Sequence, residues 1–232
     1  ARGAHGECYP AIFPHWDNVY KTFRRWSAQG KFEQMHDRLR AQWREREERA
    51  DSPSAAILDS QSTRSSPQGG DSGYDAGKKV KGRKRSLIVD TLGLLLAVSI
   101  SAASVQDRDA ADDAVAYSKE KYPSLSTLFV DSAYAGKWAQ RTHQLHAIDV
   151  QVIRGPNNRR TGQWHSEQGD LFSVEPVQTG FVVMPKRWVV ERTHAWNERA
   201  RRLIMHHDRL FAVSEAWVWL AEARILARRL TT

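Results

Sequence analysis

The sequence predicts an α/β protein, a mixed sheet flanked by helices, with a small helical region on its N-terminal side. Three observations predict it. Apolar runs of strand length alternate with helix-period segments in the order strand, hairpin, helix, strand, helix, strand, helix. Hydrophobic residues make up 41% of 232, enough for a core of domain size, so wholesale disorder is excluded. Residues 15–50 carry their apolar side chains at helical spacing.

In that first stretch Trp16, Val19, Tyr20, Phe23 and Trp26 share one helical face, and Gly30 breaks the pattern. Phe32, Met35, Leu39 and Trp43 form a second stripe, ending in the charged run 44–49, which reads as a solvated end. Two helices around a Gly-bearing turn suit either a DNA-reading helix-turn-helix or a packing hairpin. Residues 51–54 are a polar linker. They divide the chain into an N-terminal helical region, 1–52, and a larger mixed α/β domain, 53–232. The opening Ala-Arg-Gly-Ala-His-Gly reads as a truncated start.

Residues 55–59 form a short apolar strand, and 60–77, rich in Ser, Gly, Gln and Asp, read as a long surface loop. The basic run 78–85 leads into a hairpin, 86–90 and 94–101, around Thr91-Leu92-Gly93. A helix over 107–122 stops at Pro123, with Asp107 and Asp109 in its first turn, where carboxylates favour the dipole. Then come a strand at 126–130, a helix at 137–146 and a strand at 150–153. Residues 154–180 are loop-like and 181–184 form a short apolar run. Pro185 opens a long helix over 186–205, and a last helix covers 210–230.

The formal charge of +8 favours a polyanionic partner, nucleic acid first. A single cysteine, Cys8, excludes a disulfide framework and fits a reducing compartment. No apolar run reaches membrane-span length, the best being 92–100, and no signal peptide is visible, so no membrane partner is expected.

Three carboxylates stand out on this basic chain. Asp59 ends one apolar run in Ile-Leu-Asp-Ser-Gln-Ser (57–62), and Asp131 ends another in Leu-Phe-Val-Asp-Ser-Ala-Tyr (128–134). Glu191 sits on a basic, Trp-bearing helix. Carboxylates at adjacent strand ends can converge rigidly on two Mg²⁺ ions, which stabilise the attacking and leaving oxygens of a phosphodiester displacement. Each also has a plain structural role open to it. Asp59 suits a turn, Asp131 a helix N-cap, and Glu191 an ion pair with Lys186, Arg187 or Arg192.

Motifs around these residues resemble a known family. Residues 74–85 (Tyr-Asp-Ala-Gly-Lys-Lys-Val-Lys-Gly-Arg-Lys-Arg), 89–96 and 105–109 resemble the core of DDE transposases of bacterial insertion sequences, the family numbered five. Residues 188–199, Trp-Val-Val-Glu-Arg-Thr-His-Ala-Trp-Asn-Glu-Arg, resemble the segment that carries its catalytic glutamate. The likeness spans about 16–210. It implies a ribonuclease H-like fold and transposon-end cleavage with strand transfer. Asp59, Asp131 and Glu191 would bind Mg²⁺, with Mn²⁺ as a substitute. The implied partners are double-stranded DNA, as terminal inverted repeats and target, and a second copy in a homodimer on DNA. The implied place is the bacterial cytoplasm at the nucleoid. Two weaker readings are an inactive DNA-binding remnant and a nuclease that cuts without joining. The chain departs from the family at Ser86, where His is common. In the tyrosine–arginine–glutamate–lysine signature, Met184 and Glu198 replace the tyrosine and the lysine.

Lys78, Lys79, Lys81, Arg83, Lys84 and Arg85 read as phosphate contacts, and so do Arg187, Arg192 and Arg199 on the glutamate helix. Trp188 and Trp196 suit the core or base stacking. Asp90 reads as a hairpin-turn residue. Six of the histidines lie without Cys partners, so no zinc site is expected, and His194, three residues past Glu191, reads as a neighbour of the site.

Overall fold

The computed structural model describes residues 14–67, 69–153 and 186–232. Helix α1 (Trp16–Ala28) and helix α2 (Lys31–Arg46) turn about Gly30, whose φ of 64° suits glycine. Then follow β1 (Ala55–Arg64), β2 (Gly73–Asp75), β3 (Val80–Asp90), β4 (Leu95–Ala102), α3 (Asp107–Lys121), β5 (Thr127–Val130), α4 (Lys137–His146), β6 (Asp149–Val152), α5 (Arg187–Glu198) and α6 (Phe211–Thr231).

The strands form one mixed sheet. β3 lies antiparallel between β1 and β4, β2 extends the β4 edge of β3, and β5 and β6 run parallel to β1 on its other side. A three-stranded antiparallel meander followed by two parallel crossover strands is the ribonuclease H-like arrangement. Side chains alternate faces along each strand. Ala56, Leu58, Ile88, Leu128 and Val130 pack against α3 and α4, around Ala111, Val115 and Trp138. Ile57, Leu87, Val89 and Phe129 pack on the opposite face, against Val190, Val218, Trp219 and Phe32 of α5, α6 and α2. Both faces are therefore covered, and the central strands read as continuous apolar runs.

The hairpin tip is fixed by Asp90, which is fully buried. Its Oδ1 accepts from the Leu92 and Leu94 backbone N–H groups, each at 2.9 Å, and its Oδ2 accepts from Arg44 of α2. The turn role expected for Asp90 is what the structure gives. The charged end of α2 is only partly solvated, because Arg44 points inward and also donates to the Ala50 carbonyl at 2.6 Å. Gly93, with φ 83°, brings its carbonyl within 2.9 Å of the Thr193 hydroxyl, docking the hairpin on α5.

Three expectations change. The 60–77 loop is shorter than expected, because β1 continues to Arg64 and β2 forms at 73–75. Most of the basic run, 80–85, belongs to β3, and only Lys78 and Lys79 precede it. The single helix over 186–205 breaks after Glu198, and a short 3₁₀ turn at Arg201–Leu203 follows. The break returns the chain to the sheet: the His206 N–H donates to the Arg64 carbonyl and the Ser66 N–H to the His206 carbonyl, both at 2.8 Å. The 154–180 loop, the 181–184 run and Pro185 lie outside the described residues. No helix among the described residues is long and apolar enough to cross a membrane.

Candidate active site

Strand register brings two of the three carboxylates together. The parallel pairing of β1 with β5 ends at Ile57 opposite Phe129. Asp59 and Asp131 each lie two residues further on, so both stay on the face that Ile57 and Phe129 share. Helix α5 crosses that face. Val189 and Val190 anchor it in the core, and Glu191, His194, Ala195 and Glu198 follow at i, i+3, i+4 and i+7. These four line an open cleft of about 350 Å³ together with Asp59, Ser60, Gln61, Ser62 and Lys78.

Burial pushes the Asp59 carboxyl up to about 6, the charge of Asp131 adding to the rise while Arg187 and Lys78 oppose it. Asp131 is engaged as a cap: its Oδ1 accepts from the Ala133 N–H at 2.8 Å and opens a 3₁₀ turn. Glu191 is about half exposed and pairs with Arg187 at 3.4 Å, one turn away. Asp59 and Glu191 thus line one cleft, with Asp131 beside Asp59 but outside the lining. Among the described residues, no three His, Cys, Asp or Glu side chains cluster as a ready metal cage.

His194 stands with Nε2 3.6 Å from Asp59 Oδ2. Burial, then the charges of Arg85 and Lys78, hold its imidazole down at about 3, so it is neutral beside the carboxylate. Lys78 spans the cleft floor, donating to the Ser60 carbonyl at 2.9 Å and lying 3.6 Å from Asp107. The sequence reading missed Gln61 and the role of Glu198: the Gln61 amide donates to the Glu198 carboxylate across the cleft mouth at 2.6 Å. Glu198 was legible as the i+7 neighbour of Glu191. Gln61 was not, because its orientation follows from the extra length of β1.

The basic residues divide. Lys78, Lys79 and Lys81 are exposed. Arg83, Lys84 and Arg85 are 0%, 3% and 0% exposed, which corrects the expectation that all six grip phosphate. β3 is flanked by β1 and β4 and covered on both faces, so these side chains meet protein. Arg83 donates to the Asp71 and Arg209 carbonyls and to Ser214, Arg85 to the Leu203 carbonyl, and Lys84 to the Val105 carbonyl. Arg83 is buried with every guanidinium nitrogen paired, whereas Arg85 pairs only through Nη2 among the described residues. On α5, Arg187 lies half-buried at the cleft and Arg199 is exposed. Arg192 donates to the Leu92 carbonyl at 2.9 Å and stacks on Trp188 and Trp196, so its first duty is structural.

The family whose model matches, over residues 50–226, is described as "Transposase DDE domain". No curated protein matches the chain. Two solved structures are among those to which the chain is similar at low identity. One is a piggyBac transposase synaptic complex with hairpin DNA, at 10% identity and TM-score 0.39, covering 77% of this chain and 48% of that one. The other is the Mos1 mariner paired-end complex with Mn, at 8% identity and TM-score 0.32, covering 87% of this chain and 61% of that one. The chain thus spans about half to three-fifths of the length of these structures.

Proposed function

Because the chain belongs to the transposase DDE domain family, we propose that Asp59, Asp131 and Glu191 form a phosphoryl-transfer site that cleaves transposon ends and joins them to target DNA. The insertion-sequence family numbered five, suggested by residues 74–85 and 188–199, is part of this reading. The observation that carries it is the meeting of Asp59 and Asp131 on one sheet face, with the Glu191 helix laid across that face.

A divalent cation would be held first by Asp59 and Asp131, with Glu191 joining them, since the three do not cluster among the described residues. Asp59 and Asp131 are hard oxygen donors on neighbouring strands, and their mutual repulsion contributes to the raised Asp59 carboxyl. Such an ion, Mg²⁺ or Mn²⁺, would supply Lewis-acid polarisation of the phosphodiester and would lower the pKa of a bound water. The chain's own residues do the rest. Lys78 and Arg187, both of which favour the ionised form of Asp59, hold the phosphate beside it. Neutral His194 excludes solvent from the back of Asp59 without competing for a cation's charge. Glu191, freed from Arg187 as that side chain turns to phosphate, completes the carboxylate set. The partners in this reading are double-stranded DNA and a second copy of the chain on it. The N-terminal helical region, 1–52, supports DNA contact, and 53–232 carries the chemistry.

The inactive-remnant reading has one observation in its favour: Glu198 occupies the position where the family signature has lysine, placing an acid at the phosphate cleft. Metal-dependent nicking of duplex carrying the element's terminal repeats decides between them. The expected result is nicking by the native chain and a loss of at least ~10²-fold in Asp131→Asn, as befits several kcal/mol of charge stabilisation. Nicking unchanged by Asp131→Asn refutes the assignment. Joining of cut ends to target DNA separates a transposase from a nuclease that only cuts.

A further inference from the structure

The α5–α6 junction carries a second basic feature, a quarter-turn or so around α5 from the carboxylate cleft. Arg192 lies 4.4 Å from the Trp188 ring centroid and 4.5 Å from that of Trp196, and Arg229 of α6 lies 4.3 Å from Trp196. Trp196 thus contacts two guanidiniums. Arg229 continues toward Trp43 of α2, at 5.7 Å, and Arg46 stacks on that same ring at 5.5 Å. This ladder of alternating arginine and tryptophan fixes guanidinium planes that would otherwise be mobile.

Beside the ladder is a groove of about 390 Å³ between the end of α5 and the last turns of α6. Its charged lining is Arg199, Arg224, Arg228 and Arg229, with no acidic side chain. Among the described residues, none of these four arginines forms a salt bridge. Arg224 and Arg228 are exposed and one turn apart on α6, about 6 Å from each other, so each can take its own phosphate. The crowding is felt electrostatically: burial and then the charge of Arg229 lower the pKa of Arg192.

We infer that this arginine groove of α5 and α6 is a second DNA-backbone site, gripping duplex phosphates outside the catalytic cleft. This rests on the transposase reading and adds α6 to its DNA contacts. Phosphate is the chemistry that fits, because planar guanidiniums bind it bidentately and four of them line the groove with no acidic side chain among them. Helix α5 thus separates two anion-facing surfaces, one of carboxylates with Lys78 and Arg187, the other of arginines alone.

The test is equilibrium binding of the full chain to a 30-base-pair duplex of arbitrary sequence, followed by fluorescence anisotropy in EDTA from about 50 to 200 mM salt. The double variant Arg224→Gln with Arg228→Gln should flatten the log–log salt slope by about 1.8, at roughly 0.9 per phosphate lost. Native protein should therefore lose about 12-fold more affinity than the variant across that range. A charge-matched control on α4, Lys137→Gln with Arg141→Gln, should keep the native slope. Circular dichroism should give all three proteins the same melting midpoint, since every altered side chain is exposed. If native protein binds and the groove variant keeps its slope, or the control flattens equally, the groove inference is overturned and the transposase reading stands. Failure of native protein to bind duplex at all overturns both.

Discussion

Removing the charge of Asp90 should unfasten α2 from the sheet. Asp90 is fully buried and its partner Arg44 is 7% exposed at the side chain. Asparagine is nearly isosteric, and its oxygen can still accept from Leu92 and Leu94, so the hairpin turn survives Asp90→Asn. What is lost is the carboxylate facing Arg44, replaced by an amide N–H that opposes a guanidinium N–H. A buried cation left uncompensated in this way costs about 3–5 kcal/mol. With a urea m-value near the top of the small-protein range, about 3 kcal/mol/M, the midpoint should fall by about 1–1.7 M. The nine tryptophans provide the fluorescence signal. The companion variant, Arg44→Met with Asp90→Asn, removes both charges and should recover most of the loss, because replacing a whole buried pair is far cheaper than breaking one. A midpoint shift under about 0.3 M in Asp90→Asn, or a double variant no more stable than the single one, would refute the reasoning.

Two further outcomes follow from burial and packing. Burial raises the Glu222 carboxyl from 4.5 to about 8, with Arg229 and Arg85 opposing, so the folded state holds its proton where the unfolded chain has lost it. Stability therefore falls as pH rises from about 4.5 to about 8, and Glu222→Gln should flatten that fall in melting midpoints measured across this window. His206, held down at about 3 chiefly by burial, acts in the other direction: its contribution is lost as pH falls below about 6.5, which the glutamine variant should leave intact. At Gly82, a Cβ would meet the Thr63 carbonyl oxygen at 2.0 Å and Arg64 Cα at 2.8 Å, both backbone atoms of β1. Gly82→Ala should thus force the central strands apart at about 3 kcal/mol or more, lowering the melting midpoint by at least about 6 °C; a change under about 2 °C would contradict the close approach.

Local pattern carried much of the fold because helix caps, turns and apolar periodicity are short-range. Gly30 and Pro123 ended helices where expected, and Asp90 with Gly93 made the hairpin tip. The 137–146 helix needed no revision. The reading failed where pairing outweighed composition. Residues 60–64 are polar and gave no strand signal, yet they pair with 82–86 of β3 because the hairpin register extends past the apolar segment. Residues 186–205 looked like one helix, but the chain bends after Glu198 so that His206 can reach the end of β1.

The sequence by itself determined the α/β class, the order of elements and the carboxylates worth watching. Asp59, Asp131 and Glu191 are distinctive because each follows an apolar run or sits in a motif, and both features are written along the chain. Only the tertiary structure decided which charges face solvent. Arg83 and Arg85 are chemically like Arg224 and Arg228, but strand pairing seals the first two among backbone carbonyls, while α6 leaves the other two exposed. Charge is a property of a residue. Its availability to a ligand depends on long-range pairing, which brings together residues such as Arg85 and Leu203, 118 positions apart.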